Sequence, residues 1–200
     1  MAHSEQKTVL DRLGEAVPIS KNPKAPPIDQ WHPTVELTVG LRIGVEGQWT
    51  HEGEPVQRTA LVALFLSILR REHGGYYLIT PHEKARIEVA DAPMLLTDVV
   101  WEEASAGDLL SLHGVTQTGQ RIDITPDQPL VNAKTFRQSI SPLTVETEGL
   151  FDDAWYVLLP RGLSARLSRP DYYRLAEKLQ EMVGGGYGLK VGGHWFGLVS

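Results

Sequence analysis

Thirteen prolines and nineteen glycines interrupt this chain of 200 residues, which disfavours long regular elements. Glycine supplies the backbone angles of tight turns, and proline breaks the hydrogen bonding of helices and central strands. The spacing therefore favours many turns and short strands over a helical bundle. Five of the prolines fall within residues 14–34. Residues 1–34 are accordingly interpreted as an N-terminal arm whose second half is extended.

Apolar periodicity predicts the regular elements of the first half of the chain. Alternating apolar residues over 35–45 predict a strand with one buried face, followed by a turn at Glu46 and Gly47. Apolar residues at helical spacing predict a helix over 58–72, with Arg70 and Arg71 in its last turn. Short apolar runs predict further strands over 76–80, 86–89, 95–101, 109–116 and 120–124.

The second half of the chain repeats this outline. A strand is predicted over 155–159, an arginine-rich turn over 161–169, and a closing strand over 193–199. Ser168 and Asp171 form a capping box that starts a helix with apolar residues as far as Met182. Residues 126–144 are predicted to be irregular, and they mark a junction between domains.

A shift of 111 residues superposes the two predicted helices, and each helix is followed by a Gly-Gly-aromatic-aromatic sequence, at 74–77 and 192–195. This similarity suggests a duplicated unit. The predicted fold class is α+β, with duplicated units of antiparallel sheet plus helix. The predicted organisation is an arm over 1–34, a first sheet and helix domain over 35–125, and a second over 126–200.

Composition excludes several classes of protein. The chain has no cysteine, which excludes a disulfide framework and thiolate metal sites. No apolar run approaches the roughly 18 residues of a membrane span. Residues 1–13 lack the apolar core of a secretory signal, so a cytoplasmic location is expected. The formal net charge of −6 argues against nucleic acid as a partner.

The charge is unevenly distributed along the chain. Residues 91–153 hold three bases and eleven acids, whereas residues 154–200 hold six bases and three acids. An asymmetry of this kind often marks a binding face. A solvated acidic loop region is the simpler interpretation of the middle segment.

Motifs for catalysis are missing from the sequence. We find no phosphate-binding loop, no dinucleotide fingerprint, no histidine pair at metal-binding spacing and no complete nucleophile elbow. The sequence therefore predicts no catalytic residue, no metal ligand and no cofactor. An enzyme would need a general acid or base, for which the candidates are His51, His82, Glu83 and Asp91.

Basic residues lie beside several of the predicted breaks. Arginine suits bidentate capture of phosphate or carboxylate, and helix N-termini attract anions. These bases predict either a site for an anion or ion pairs with nearby acids such as Glu52, Glu54, Glu83 and Asp91. The bases are Arg58, Lys84, Arg161, Arg166 and Arg169.

A series of motifs in a fixed order covers roughly residues 28–199. They include Trp31-His32-Pro33, Gly53-Glu54-Pro55, Thr80-Pro81-His82-Glu83-Lys84, Asp91-Ala92-Pro93 and Arg161-Gly162-Leu163-Ser164-Ala165-Arg166-Leu167. The series resembles an uncharacterised bacterial family known as domain of unknown function 1285. The chain departs from the usual family residues at Ala90, Gln117 and Ser164.

The resemblance implies a duplicated two-domain core whose second domain is superficially similar to a pleckstrin-homology fold. It also implies a ligand site between the domains, with a nucleotide-like molecule as one candidate, and a role in signal transduction. The motifs place the ligand-binding residues at Arg58, Thr80, Glu83, Lys84, Asp91, Arg161 and Arg166. The predicted function is thus a cytoplasmic binding or sensor protein for a small anionic ligand, without a nucleic-acid or membrane partner. The alternative is a protein–protein adaptor that uses the acidic middle segment or Trp195 and Phe196.

Overall fold

The computed structural model describes residues 26–104, 107–140 and 153–199. Residues 1–25 of the predicted arm lie outside the described residues. The rest of the arm contains a short 3₁₀ helix, Ile28–Gln30, whose Ile28 is buried. Arg70 holds this segment in place, because its guanidinium donates hydrogen bonds to the carbonyl oxygens of Ile28 and Trp31.

The first sheet has six strands in the order β3-β2-β1-β6-β5-β4. Helix α1 (Thr59–Ser67) follows β3 in the chain. The strands are β1 (Val35–Ile43), β2 (Trp49–His51), β3 (Glu54–Pro55), β4 (Leu69–Glu72), β5 (Gly75–Ile79) and β6 (Glu83–Val89).

The second sheet has nine strands, and its main path runs β10-β11-β12-β7-β8-β14-β13. Two further strands pair at its side, β15 with β14 and β9 with β8. Its helices are α2 (Ala133–Ile140) and α3 (Arg169–Ala176). The strands are β7 (Met94–Glu103), β8 (Leu109–Thr116), β9 (Arg121–Asp123), β10 (Leu130–Asn132), β11 (Trp155–Leu159), β12 (Leu163–Leu167), β13 (Gln180–Glu181), β14 (Tyr187–Val191) and β15 (His194–Val199).

The second sheet curves into a nearly closed barrel. The barrel closes where β15 lies against β10. There the Asn132 side-chain amide donates a hydrogen bond of 3.1 Å to the Leu198 carbonyl oxygen. A continuous apolar core fills the space inside the barrel and between the two sheets. No helix among the described residues is long and apolar enough to cross a membrane.

The predicted α+β class is confirmed, but the sheets are mixed, whereas the sequence predicted antiparallel sheets. Parallel pairs join β1 to β6, β12 to β7 and β14 to β8. The chain passes from one sheet to the other between Val89 and Met94. The predicted domain boundary between 125 and 126 stays a prediction.

The first predicted helix is shorter than its apolar pattern indicated. It ends at Ser67, and Arg70 and Arg71 lie on β4, where they pair with Tyr77 and Tyr76 of β5. Helical spacing places apolar residues at 68 and 69, and both are fully buried here, although Ile68 is the C-cap residue of α1 and Leu69 is the first residue of β4. The pattern therefore could not distinguish a longer helix from a helix followed by a strand.

Three predictions for the second half of the chain were wrong. Residues 130–140 form β10 and α2 rather than irregular structure, whereas 141–144 lie outside the described residues, and the predicted turn over 161–169 contains β12. The capping box is confirmed, since the Asp171 backbone N–H donates a hydrogen bond of 3.3 Å to the Ser168 hydroxyl oxygen. The helix that starts there ends at Ala176, however, because Gln180 and Glu181 pair with β14.

Candidate functional site

The seven residues predicted to bind a ligand lie in four separate places. One is at the start of α1, three surround the turn between β5 and β6, two form an ion pair between the sheets, and one lines a cavity. In that order they are Arg58; Thr80, Glu83 and Lys84; Asp91 and Arg166; and Arg161.

Arg58 is the N-cap residue of α1, and its side chain makes no capping hydrogen bond. The residue is exposed to solvent. It lies at the opposite end of α1 from Leu66 and Ser67, which face the cavity described below. The structure does not bring Arg58 together with the other predicted residues.

The turn between β5 and β6 is held by its own hydrogen bonds. The Thr80 hydroxyl donates to the Glu83 carbonyl oxygen at 2.9 Å and accepts from the Glu83 backbone N–H at 3.1 Å. Thr80 is fully buried. Its polar group is therefore used to close the turn.

Lys84 lies on β6 between two carboxylates. Its Nζ is 3.4 Å from a carboxylate oxygen of Glu36 on β1 and 3.5 Å from one of Glu72 on β4. The ammonium group also lies 4.7 Å from the ring centroid of Tyr77, at cation–π distance. Lys84 thus forms ion pairs, with two acids outside the set proposed from the sequence.

Asp91 and Arg166 form a buried ion pair at the passage from the first sheet to the second. The Arg166 Nε and an Asp91 carboxylate oxygen are 2.8 Å apart, and the Tyr156 hydroxyl donates to the other oxygen at 3.0 Å. Arg166 also donates to the Val45 carbonyl oxygen at 2.7 Å and lies 3.2 Å from a Glu46 carboxylate oxygen. The cluster therefore joins the turn after β1 to strands β11 and β12.

The protonation of this cluster follows from its burial. Burial raises the pKa of the Asp91 carboxyl, while the Tyr156 hydroxyl and the Arg166 guanidinium act in the opposite direction. Burial beside Asp91 also raises the pKa of the Tyr156 hydroxyl, which keeps it a hydrogen-bond donor. The side chains of Asp91 and Arg166 are 0% and 3% exposed. A ligand in solvent would reach them only if the ion pair opened.

A cavity of about 500 Å³ lies between α1 and the second sheet. Its wall combines the C-terminal half of α1, strand β9 and the turn between β11 and β12. The polar residues in the wall are Ser67, Gln120, Arg121, Asp123, Gln128 and Arg161, and the apolar ones are Ala63, Leu66, Met94, Ile122, Leu159, Pro160 and Leu163. We refer to it as the inter-sheet cavity.

Arg161 is the most unusual residue in this wall. Its backbone has a φ of +63°, in the left-handed region that costs a non-glycine residue on the order of 1 kcal/mol or more. Its guanidinium donates a hydrogen bond of 2.8 Å to the Ser67 carbonyl oxygen at the end of α1. No carboxylate of the described residues lies within ion-pair distance of it. Arg161 thus presents a charged donor to the cavity from a strained turn.

Partial burial lowers the pKa of the Arg161 guanidinium, and Arg70 acts in the same direction. Asp29 opposes this shift through space. A lowered pKa means that the charged form is less well solvated here than in water. An anion bound in the cavity would therefore interact strongly with the Arg161 guanidinium.

Arg121 and Asp123 form a second charged pair in the wall. The Arg121 Nε donates to an Asp123 carboxylate oxygen at 2.8 Å, and both side chains are more than half exposed. Sequence reasoning missed this pair, although the alternation around Ile122 places both residues on one face of β9. Whether this face of β9 borders a cavity depends on where α1 packs, and no local sequence pattern indicates that packing.

A family model described as "Domain of unknown function (DUF1285), N-terminal domain" matches residues 26–92. The sequence has no match among curated proteins.

Two solved structures are similar to this one. The crystal structure of a DUF1285 family protein from Silicibacter pomeroyi is 30% identical over 90% of each chain, with a TM-score of 0.74. A second DUF1285 family protein, from Shewanella baltica, is 31% identical over 71% of this chain and 94% of its own, with a TM-score of 0.48. The family predicted from the ordered motifs is confirmed, and the chain belongs to the family of domain of unknown function 1285.

Proposed function

We propose that this chain is a cytoplasmic binding or sensor protein that holds a small anionic ligand in the inter-sheet cavity, with a role in signal transduction. The observation that carries the proposal is Arg161, a partly buried cation in a cavity wall with no described carboxylate as its ion-pair partner. A cavity of about 500 Å³ is within the size range of small-molecule sites.

The strained backbone of Arg161 supports the same proposal. A non-glycine residue in the left-handed region persists where the surrounding structure fixes it, and such residues concentrate at binding sites. Here the next residue, Gly162, also has a positive φ, and a Cβ at that position would lie 3.1 Å from the Cβ of Arg71. The turn is therefore pressed against β4, which fixes the direction of the Arg161 side chain.

The proposal is tested with Arg161→Gln. Wild-type protein is expected to show a higher melting temperature in the presence of an anion from a panel of inorganic phosphate, nucleotides and small carboxylates. The variant is expected to lose most of this shift, because glutamine supplies neither the charge nor the bidentate donors. Thermal unfolding followed by circular dichroism, with and without each compound, measures both.

Arg42→Gln is the matched control, since Arg42 is an exposed arginine on β1 outside the cavity wall. The Arg42→Gln variant carries the same chemical change and should keep the full ligand-induced rise in melting temperature. Arg161→Lys keeps the charge and should retain part of it. An identical shift in wild type and Arg161→Gln would contradict the assignment of the site to this cavity.

We further propose that the other predicted residues act on the cavity indirectly. Asp91 and Arg166 fix the second sheet against the turn after β1, and so hold the two walls at a constant separation. Thr80, Glu83 and Lys84 stabilise the end of the first sheet at which β5 turns into β6, where direct contact with a ligand would require Lys84 to leave its carboxylate partners.

The chain order of the elements supports a proposal of internal duplication. A hairpin, a helix and a second hairpin follow one another as β1-β2, α1 and β4-β5, and again as β11-β12, α3 and β14-β15. The nearly closed barrel of the second sheet is the feature that supports a pleckstrin-homology-like second unit.

A protein–protein adaptor is the second candidate, and the exposed face of the hairpin β14-β15 favours it. Trp195, Tyr187 and Val199 are each more than 40% exposed there, whereas Phe196, also proposed from sequence, is buried. The expected result for an adaptor is a partner captured from cell extract by wild type and by Arg161→Gln, but lost with Trp195→Ser. Equal capture by both variants would contradict a docking role for Trp195.

A further inference from the structure

The charges in the wall of the inter-sheet cavity limit the charge of its ligand. The wall contains two arginines, Arg121 and Arg161, and one carboxylate, Asp123. Because Arg121 and Asp123 already neutralise each other at 2.7–2.8 Å, one positive charge is left over. Asp29 and Arg70 act on Arg161 from outside the wall, and they do so in opposite directions.

The apolar part of the wall limits the rest of the ligand. Seven of the thirteen lining residues are apolar, and three of these, Ala63, Leu159 and Pro160, are half-buried or exposed and so present apolar surface to the cavity. An apolar surface that faces a cavity gains from contact with an apolar group, because water leaves both. A ligand that carried only charged groups would leave this surface without such contact.

We infer that the ligand of the inter-sheet cavity carries a single negative charge on an apolar body, as in an aliphatic or aromatic carboxylate or a phosphodiester. This inference rests on the proposed function and specifies the class of ligand. The single charge lies at Arg161, and the apolar body lies between α1 and the turn before β12. A pyrophosphate or triphosphate would bring negative charges for which the wall offers no partner, and partly desolvated charges without partners are costly.

Calorimetric titration of the purified protein with three probes tests the inference. Octanoate supplies one charge and an apolar body, octanamide removes the charge, and pyrophosphate removes the apolar body and adds charge. We expect octanoate to bind best. Octanamide should bind at least about tenfold more weakly, because it loses a charge-assisted hydrogen bond. Pyrophosphate should be weaker than octanoate as well.

Asp123→Asn provides the sharper experiment, because it raises the net charge of the wall from one to two without changing its shape. We expect the affinity ratio of pyrophosphate to octanoate to rise by about tenfold or more. Asp98→Asn is the matched control: Asp98 has nearly the same side-chain exposure, 56% against 57%, and lies outside the cavity wall. The control should leave the ratio unchanged.

The outcomes separate this inference from the proposal on which it rests. If pyrophosphate or a nucleoside triphosphate binds the wild type more tightly than octanoate, and Arg161→Gln abolishes that binding, the single-charge inference is overturned and the anion site stands. If Asp123→Asn leaves the ratio unchanged, the charge argument is likewise wrong. If none of these compounds binds, both the inference and the proposed function fail.

Discussion

Alanine in place of Asp91 is expected to lower the free energy of unfolding by about 3–5 kcal/mol, because it removes one partner of a buried ion pair. The Arg166 guanidinium, 3% exposed, would lose its nearest carboxylate and remain in a low-dielectric environment. The Tyr156 hydroxyl would lose its acceptor as well. Both groups would stay buried without the hydrogen bonds that replace their contact with water, which accounts for the size of the loss in stability.

Urea unfolding followed by tryptophan fluorescence measures this loss. Asp123→Ala is the matched control, since it breaks an exposed pair with Arg121 and should cost about 1 kcal/mol or less. The double variant Asp91→Ala with Arg166→Met should recover part of the stability, because no buried charge is left without a partner. A loss for Asp91→Ala as small as that for Asp123→Ala would show that the pair is not buried as described.

Replacement of Phe136 by alanine is expected to cost about 3–5 kcal/mol. Phe136 lies on α2 and is fully buried, with its ring stacked on that of Tyr156 at 3.9 Å between centroids. The substitution would leave a cavity between α2 and β11. It would also remove the ring that supports Tyr156, whose hydroxyl contacts Asp91.

Chemical denaturation again measures the effect, with Tyr173→Ala as the control. Tyr173 is an aromatic residue on α3 that is 59% exposed, and its replacement should cost about 1 kcal/mol or less. Phe136→Leu fills most of the space and should cost less than Phe136→Ala. Equal stability of wild type and Phe136→Ala would mean that α2 contributes nothing to the core.

The sequence was informative where one local rule decides the structure. Alternation alone placed β1, and a turn follows it as predicted, but the connection to β2 spans residues 44–48 and its turn is centred on Val45 and Glu46, with Gly47 at a φ of +74°. The capping box placed the start of α3 at Ser168. The ends of both predicted helices were wrong because each helix is followed by a short strand, β4 or β13, whose pairing with the next strand, β5 or β14, decides where the helix stops.

The candidate site was predicted only in part, because local rules identify single residues but not the contacts between distant ones. Arginines beside a turn drew attention to Arg161, which does line the inter-sheet cavity. The sequence offered Asp91 as one of several ion-pair partners for the bases that include Arg166, but no local pattern could select this pair across 75 residues, because the contact requires the parallel pairing of β7 with β12. The Arg121 and Asp123 pair was missed because the packing of α1 decides which face of β9 borders the cavity.

Both edges of the first sheet, and the edge strand β13 of the second, offer little backbone to another chain. β3, at one edge of the first sheet, has two residues, one of which is Pro55 without an N–H group. β4, at the other edge, is covered by the turn that contains Arg161, and β13 in the second sheet also has two residues. Short or covered edges of this kind resist strand-to-strand aggregation. A protein partner at these edges would therefore have to recognise side chains rather than extend a sheet.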